Sequence, residues 1–196
     1  SVLSEGGMDP TFVIGGQLLS AGANAKLGTG QWLVAEADES DGSFLRLNPL
    51  MAVITNIDSD HLENYDNDFA KVQAAFAEFL QRLPFYGLAV LCIDDPEVAA
   101  LAADTPRHVM SYGFAENADV RAENVTQEAG RMKFTLRLPE DTQVQVTLAL
   151  PGRHNVQNAL AAAAIGWQLG VSPQNIAQAL EKFSGTFETL MTTPVR

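Results

Sequence analysis

An α/β fold is expected for this chain: a mostly parallel sheet flanked by helices, with a small antiparallel β annex. Three observations lead there. Short apolar runs at residues 32–36, 52–57, 88–93 and 108–112 read as strands. Amphipathic stretches between them read as helices, and strands alternating with helices favour parallel pairing. Residues 120–126, 132–138 and 144–150 then alternate polar and apolar side chains, as in an antiparallel meander with one wet face.

Taken in order, the first thirty residues are rich in Gly and Ala. Asp9-Pro-Thr-Phe-Val-Ile-Gly-Gly16 reads as a short strand ended by a glycine pair, and Leu27-Gly-Thr-Gly30 as a loop. The runs at 32–36 and 52–57 read as buried strands. A helix over 69–83 would carry Phe69, Val72, Phe76, Phe79, Leu80 and Leu83 on one face. A second helix over 95–103 has Pro96 in its first turn, where proline's missing N–H is harmless. Turns at 127–130 and 139–141 separate the meander strands. Helices return at 155–169 and 172–183, the last with Ser172 as N-cap and Pro173 as first helical residue.

Composition narrows the function. With 196 residues the chain fits one domain, or one with a small annex. A net charge of −12 argues against binding a nucleic-acid backbone, which needs clustered Lys and Arg. Cys92, the single cysteine, sits in an apolar run, which suits a reducing compartment and a cytoplasmic location. No apolar run approaches the ~20 residues of a membrane span, so no membrane partner is expected.

Two carboxylate-rich stretches follow strand-like runs: Glu36-Ala-Asp-Glu-Ser-Asp-Gly-Ser-Phe44 and Thr55-Asn-Ile-Asp-Ser-Asp-His-Leu-Glu-Asn-Tyr65. In open parallel sheets, ligands bind beyond the carboxyl ends of strands. Glu36, at the strand end, suits a hard divalent cation, which takes oxygen ligands. The same run reads equally well as a solvated acidic turn before a helix near Ser43. His61, among Asp58, Asp60 and Glu63, reads more readily as an exposed loop histidine than as a ligand, because imidazole is an unusual magnesium ligand. Leu150-Pro-Gly-Arg-His-Asn-Val-Gln-Asn158 is a third candidate. Asn155 and Asn158 are three apart on a helix, and a carboxamide's adjacent donor and acceptor match an adenine edge. An Asn N-cap would account for Asn155, though not for Asn158 or Arg153. The pairs Gly15-Gly16 and Gly28-x-Gly30 read as turns rather than a phosphate cradle, and no Gly-x-x-x-x-Gly-Lys-Ser/Thr loop occurs.

Glu-Ala-Asp-Glu-Ser-Asp-Gly-Ser-Phe, Thr-Asn-Ile-x-x-Asp-His-x-x-x-Tyr, Leu-Pro-Phe-Tyr-Gly and Pro-Gly-Arg-His-Asn-x-x-Asn occur here in this order. With the opening Asp-Pro-Thr-Phe-Val-Ile-Gly-Gly, they resemble the central domain of the Mur ligases of peptidoglycan synthesis, over about residues 2 to 186. Ser40 favours the branch that joins L-alanine to UDP-N-acetylmuramate. The resemblance implies ATP-dependent amide formation: the muramate carboxylate attacks the γ-phosphate, and the alanine amine displaces phosphate from the acyl phosphate. It implies ATP and Mg2+, with Glu36 and His61 as metal ligands, and His154, Asn155 and Asn158 with Arg153 at the adenine. Asp38 and Ser40 would face substrate.

The family's phosphate loop and C-terminal domain have no counterpart among these residues. Residues 1–186 are therefore expected to form the central ATP-binding domain without its phosphate loop, and 187–196 a divergent tail. The segment alone is expected not to turn over ATP, and to self-associate through an open edge beside residues 32–36 or 52–57, or to repack its first thirty residues there. The alternatives are another Mur-type ligase or a non-catalytic module with a nucleotide-binding fold.

Overall fold

The computed structural model describes residues 1–18, 23–37, 39–40, 42–59 and 62–185. The tail at 187–196 lies outside them. Among the described residues two sheets form, one of six strands and one of three.

The six-stranded sheet is built from β4 (Met51–Ile54), β5 (Leu88–Cys92), β6 (His108–Gly113), β7 (Val120–Glu128), β8 (Arg131–Leu138) and β9 (Thr142–Leu148), in that spatial order. β4 to β7 run parallel; β7, β8 and β9 pair antiparallel. The antiparallel strands thus continue the main sheet, with β7 belonging to both parts.

Period-two alternation explains how this sheet buries both faces. Leu88, Val90 and Cys92 of β5 join one apolar cluster, and Ala89 and Leu91 join another. Helices α4 (Arg153–Gln168) and α5 (Pro173–Lys182) cover the first face, bringing Val156, Leu160 and Ile176 onto Tyr112, Val120 and Leu136. Helix α2 (Phe69–Gln81) and helix α3 (Pro96–Asp104) cover the second with Val72, Phe79, Leu80 and Val98. Local chemistry starts each helix. The carboxylates of Asp68 and Asp95 accept Ala70 N and Val98 N at 3.0 and 2.9 Å, and Ser172 Oγ accepts Asn175 N at 3.2 Å.

The N-terminal part is arranged differently from expectation. After a short helix α1 (Val2–Glu5), β1 (Thr11–Leu18) pairs antiparallel with β2 (Ala23–Lys26) and parallel with β3 (Leu33–Ala35). Gly15 and Gly16 lie within β1 instead of ending it. β3 is also not buried: Leu33 is 64% exposed and Val34 43%. Residues 32–36 and 52–57 therefore belong to separate sheets, because β3 finds its partner in β1 rather than in β4. Among the described residues β3 pairs only with β1 and β4 only with β5, so each leaves one backbone edge open.

What fixes the small sheet is backbone geometry. Asp9 (φ +38°) accepts Thr29 N and Thr29 Oγ1 at 2.9 and 2.8 Å, and Lys26 Nζ at 3.2 Å. A Cβ on Gly30 would lie 1.8 Å from the Met8 carbonyl oxygen, so only glycine lets the loop pass.

Candidate functional site

The two carboxylate stretches meet even though their strands do not. The first leaves β3 at Glu36, turns through Glu39 and Ser40, and enters a 3-10 turn (Ser43–Arg46). That turn is anchored by Phe44, whose buried ring lies 5.3 and 5.1 Å from Phe76 and Phe79 of α2. The second leaves β4 through Thr55, Asn56 and Asp58 and ends in a 3-10 turn, Leu62–Tyr65. The Tyr65 hydroxyl donates to the Glu39 carbonyl, tying the loops together.

Glu36 is exposed, and its Oε2 accepts the Gly15 backbone N–H at 2.5 Å. The other carboxylate oxygen has no hydrogen bond among the described residues, and oxygen is the donor type that magnesium selects. Ser40 is half-buried in the turn after Glu39. Asp38 and His61 lie outside the described residues. Among the described residues no three His, Cys, Asp or Glu side chains gather as a ready-made metal cage.

A cavity of about 540 Å³ opens at the carboxyl ends of β4 and β5, where α4 begins. Thr55, Asn56, Asp94, His154, Gln157 and Asn158 are among its lining residues. Its floor is continuous with the second acidic stretch, since Thr55 Oγ1 donates to Asn56 Oδ1 and Asn56 Nδ2 to Asp58 Oδ2, both at 2.9 Å. Cys92 also lines it, but burial pushes the thiol pKa up, so it offers no thiolate nucleophile at neutral pH. Burial likewise raises Tyr112, whose hydroxyl donates to the Ile54 carbonyl at 3.4 Å.

Pro151-Gly152 sets the entry into α4. Gly152 takes φ +94°, and the His154 ring packs where its Cβ would be, 2.9 Å away. His154 and Asn158 are exposed side chains on the cavity wall. Asn155 is placed otherwise: it is buried, its Nδ2 donates to the Pro151 carbonyl at 2.7 Å, and it lines an adjoining cavity that Asn158 shares. Arg153 stands outside the cavity wall, its guanidinium 3.8 Å from the centre of the Phe114 ring.

Residue-by-residue reading passed over Asp94 and Gln157. A signal was present: Asp94-Asp95-Pro96 follows β5 in the same strand-end context that singled out Glu36.

A mostly parallel sheet with a polar cavity at the carboxyl ends of its strands places the chain among α/β domains that bind ligands at strand ends. The profile of the Mur ligase middle domain matches residues 20–166, and the chain belongs to that family. It is 84% identical over 185 residues to UDP-N-acetylmuramate–L-alanine ligase of Xanthomonas campestris pv. campestris (strain B100). That match covers 94% of this chain and 39% of the relative, so the chain spans well under half of it. Its fold is similar to that of UDP-N-acetylmuramate-alanine ligase from Thermotoga maritima, with a TM-score of 0.81 at 29% identity, over 94% of this chain and 41% of that one. It is also similar to a UDP-N-acetylmuramate:L-alanyl-γ-D-glutamyl-meso-diaminopimelate ligase from Neisseria, with a TM-score of 0.81 at 26% identity, over 94% and 60%.

Proposed function

We propose that this chain is the ATP-handling domain of a ligase that joins L-alanine to UDP-N-acetylmuramate in the cytoplasm. One observation supports the reading above the others: the cavity beside His154 and Asn158 shares the end of β4 with the second acidic loop, which Tyr65 ties to the first. Thr55 and Asn56 line the cavity, and the same loop runs on to Tyr65, which holds the Glu39 carbonyl.

In this reading His154 and Asn158 hold the adenine ring, and buried Asn155 braces the turn that presents them. Arg153, stacked on Phe114, stiffens the rim. Glu36, with His61, holds magnesium, and Asp38 and Ser40 face the acceptor substrate. Magnesium would neutralise charge developing on the transferring phosphoryl group. A chain of net charge −12 needs such a cation wherever it meets a polyphosphate. The muramate carboxylate gains the phosphoryl group as ADP leaves, and the alanine amine then forms the amide as phosphate leaves. Residues 1–186 would be the domain itself, and the open edges of β3 and β4 the place where an isolated segment associates with itself.

Steady-state kinetics of the full-length protein test this. Phosphate release should require both UDP-N-acetylmuramate and L-alanine. Asn158→Ala should raise the KM for ATP with kcat little altered, because contacts to an unreacting ring are the same in ground and transition states. Release supported equally by another amino acid, or a pure kcat loss in Asn158→Ala, counts against it.

A further inference from the structure

Asp94 is held by backbone donors on both of its carboxylate oxygens. Phe114 N lies 2.9 Å from both of its oxygens and Ala115 N 3.1 Å from Oδ1, so the group cannot rotate without losing backbone donors. The space is also closed behind it: a Cβ on Gly113 would lie 2.5 Å from Asp94 Oδ1. The fixed Oδ2 accepts Gln157 Nε2 at 2.8 Å. A carboxylate accepts and does not donate, so only the NH2 end of the glutamine can face it. The Cys92 sulfur, 3.8 Å from the same nitrogen, favours the same orientation. Turning the amide over would set Oε1 against a carboxylate oxygen at that short distance.

The other end of the amide is therefore fixed by exclusion. Gln157 Oε1 accepts no hydrogen bond from the described residues, yet no buried side-chain oxygen or nitrogen among them lacks a partner. The oxygen must be accessible, and the cavity that Gln157 lines is where it is offered. Asn158 differs: exposed and without a hydrogen bond among the described residues, it can turn its amide either way. One carboxamide of the pocket is adaptable and the other is set as an acceptor.

We propose that the Asp94–Gln157 pair selects the base. Asp94 is a positioning residue that holds the Gln157 carbonyl toward the ligand. That carbonyl accepts a hydrogen bond from the 6-amino group of an adenine ring and disfavours 6-oxo purines. The proposal rests on the cavity being the base subsite. A 6-oxo purine would bring an acceptor to an acceptor, leaving both unpaired in a half-enclosed site, and such mismatches discriminate far better than shape does.

Calorimetric titration of the full-length protein with ATP and with inosine triphosphate tests it, since the two ligands differ only at the 6-position and the adjacent N1 proton. The unaltered protein should favour ATP by about tenfold or more, the size of one mismatched hydrogen bond. Gln157→Ala should bring the ratio of the two dissociation constants close to one. Asp94→Asn keeps an acceptor for Phe114 N but offers an NH2 group to Gln157 Oε1; the glutamine can then turn, and the ratio should fall or reverse. A structural role alone would weaken both nucleotides equally and leave the ratio unchanged, which overturns the proposal, as does an unaltered protein that shows no preference. If Asp94→Asn does not fold, the Gln157→Ala ratio decides. ATP affinity unchanged in Asn158→Ala would remove the base-pocket reading itself, and this proposal with it.

Discussion

In the six-stranded sheet, β5 has no exposed residue: Ala89, Val90 and Leu91 are fully buried between α4 on one face and α2 and α3 on the other. In the three-stranded sheet, Leu33, Val34 and Val13 are all largely exposed. The first is held by apolar burial, which is large, non-directional and tolerant of small shifts. The second is held by a carboxylate with three donors and by glycines that let backbones touch, which is directional and intolerant. The candidate site draws on both regions. Its cavity stands on the deeply buried sheet, while Glu36 stands on the shallow one, so binding and chemistry should respond to different perturbations.

The largest expected effect tests the buried side. Leu136→Ala removes a side chain with no exposure at the centre of β8 and should cost about 2–5 kcal/mol of global stability, measured by denaturant unfolding. A cost below about 1 kcal/mol would show that this sheet is not the seat of stability.

Next is a separation of chemistry from folding. If Glu36 holds magnesium as proposed, Glu36→Ala in the full-length protein should lower kcat by about two or more orders of magnitude, roughly 3–4 kcal/mol of barrier. The side chain is exposed and its one hydrogen bond, from Gly15 N, lies in the small sheet, so the global unfolding midpoint should move little. Near-normal turnover would return the first carboxylate stretch to a solvated turn.

Gly30→Ala probes the geometric fastening. The new methyl would overlap the Met8 carbonyl and must push the loop off Asp9, at a cost of about 1–3 kcal/mol that falls on the small sheet. Amide exchange should accelerate across β1 to β3 while β5 and β8 remain protected. Equal acceleration in both sheets would mean that they unfold as one unit.

The smallest effect is a pH response. Hydrogen bonds from Thr29 N, then Thr29 Oγ1 and Lys26, hold the Asp9 carboxyl below its ordinary value, at about 2. Its folded pKa is depressed, so its contribution is present above the unfolded value of about 4. That contribution is lost as pH falls through about 2. Exchange in the small sheet should rise over that interval, and Asp9→Asn should abolish the dependence.

Much of this was legible one segment at a time. Helix α2 follows from the spacing of Val72, Phe79 and Leu80, and helix starts follow from Pro96 and from Ser172 with Pro173. Clustered carboxylates after residues 32–36 and 52–57, and the His154–Asn158 helix start, marked the loops that the structure brings together. Gln157 was not legible as a functional residue, because an amide acquires a fixed orientation only from its neighbour, and Asp94 is 63 residues away. Asn155 and Asn158 were not separable either: position on a helix face does not say which side chain turns back to Pro151.

Local chemistry, which depends on residues three or four apart, was therefore settled by the sequence itself: the helices, the Ser172 cap, the apolar run of β5 and the strand-end carboxylates. Partner choice was decided only in the tertiary structure. The backbone edges of β3 carry no side-chain information, so nothing in Leu33-Val-Ala35 says that it pairs with β1 and not with β4. The same holds for Tyr65 and Glu39, joined across 26 residues by a hydroxyl and a carbonyl that every such pair possesses. Hydrogen bonding to backbone groups is indifferent to residue identity, and only the packed chain selects which of them meet.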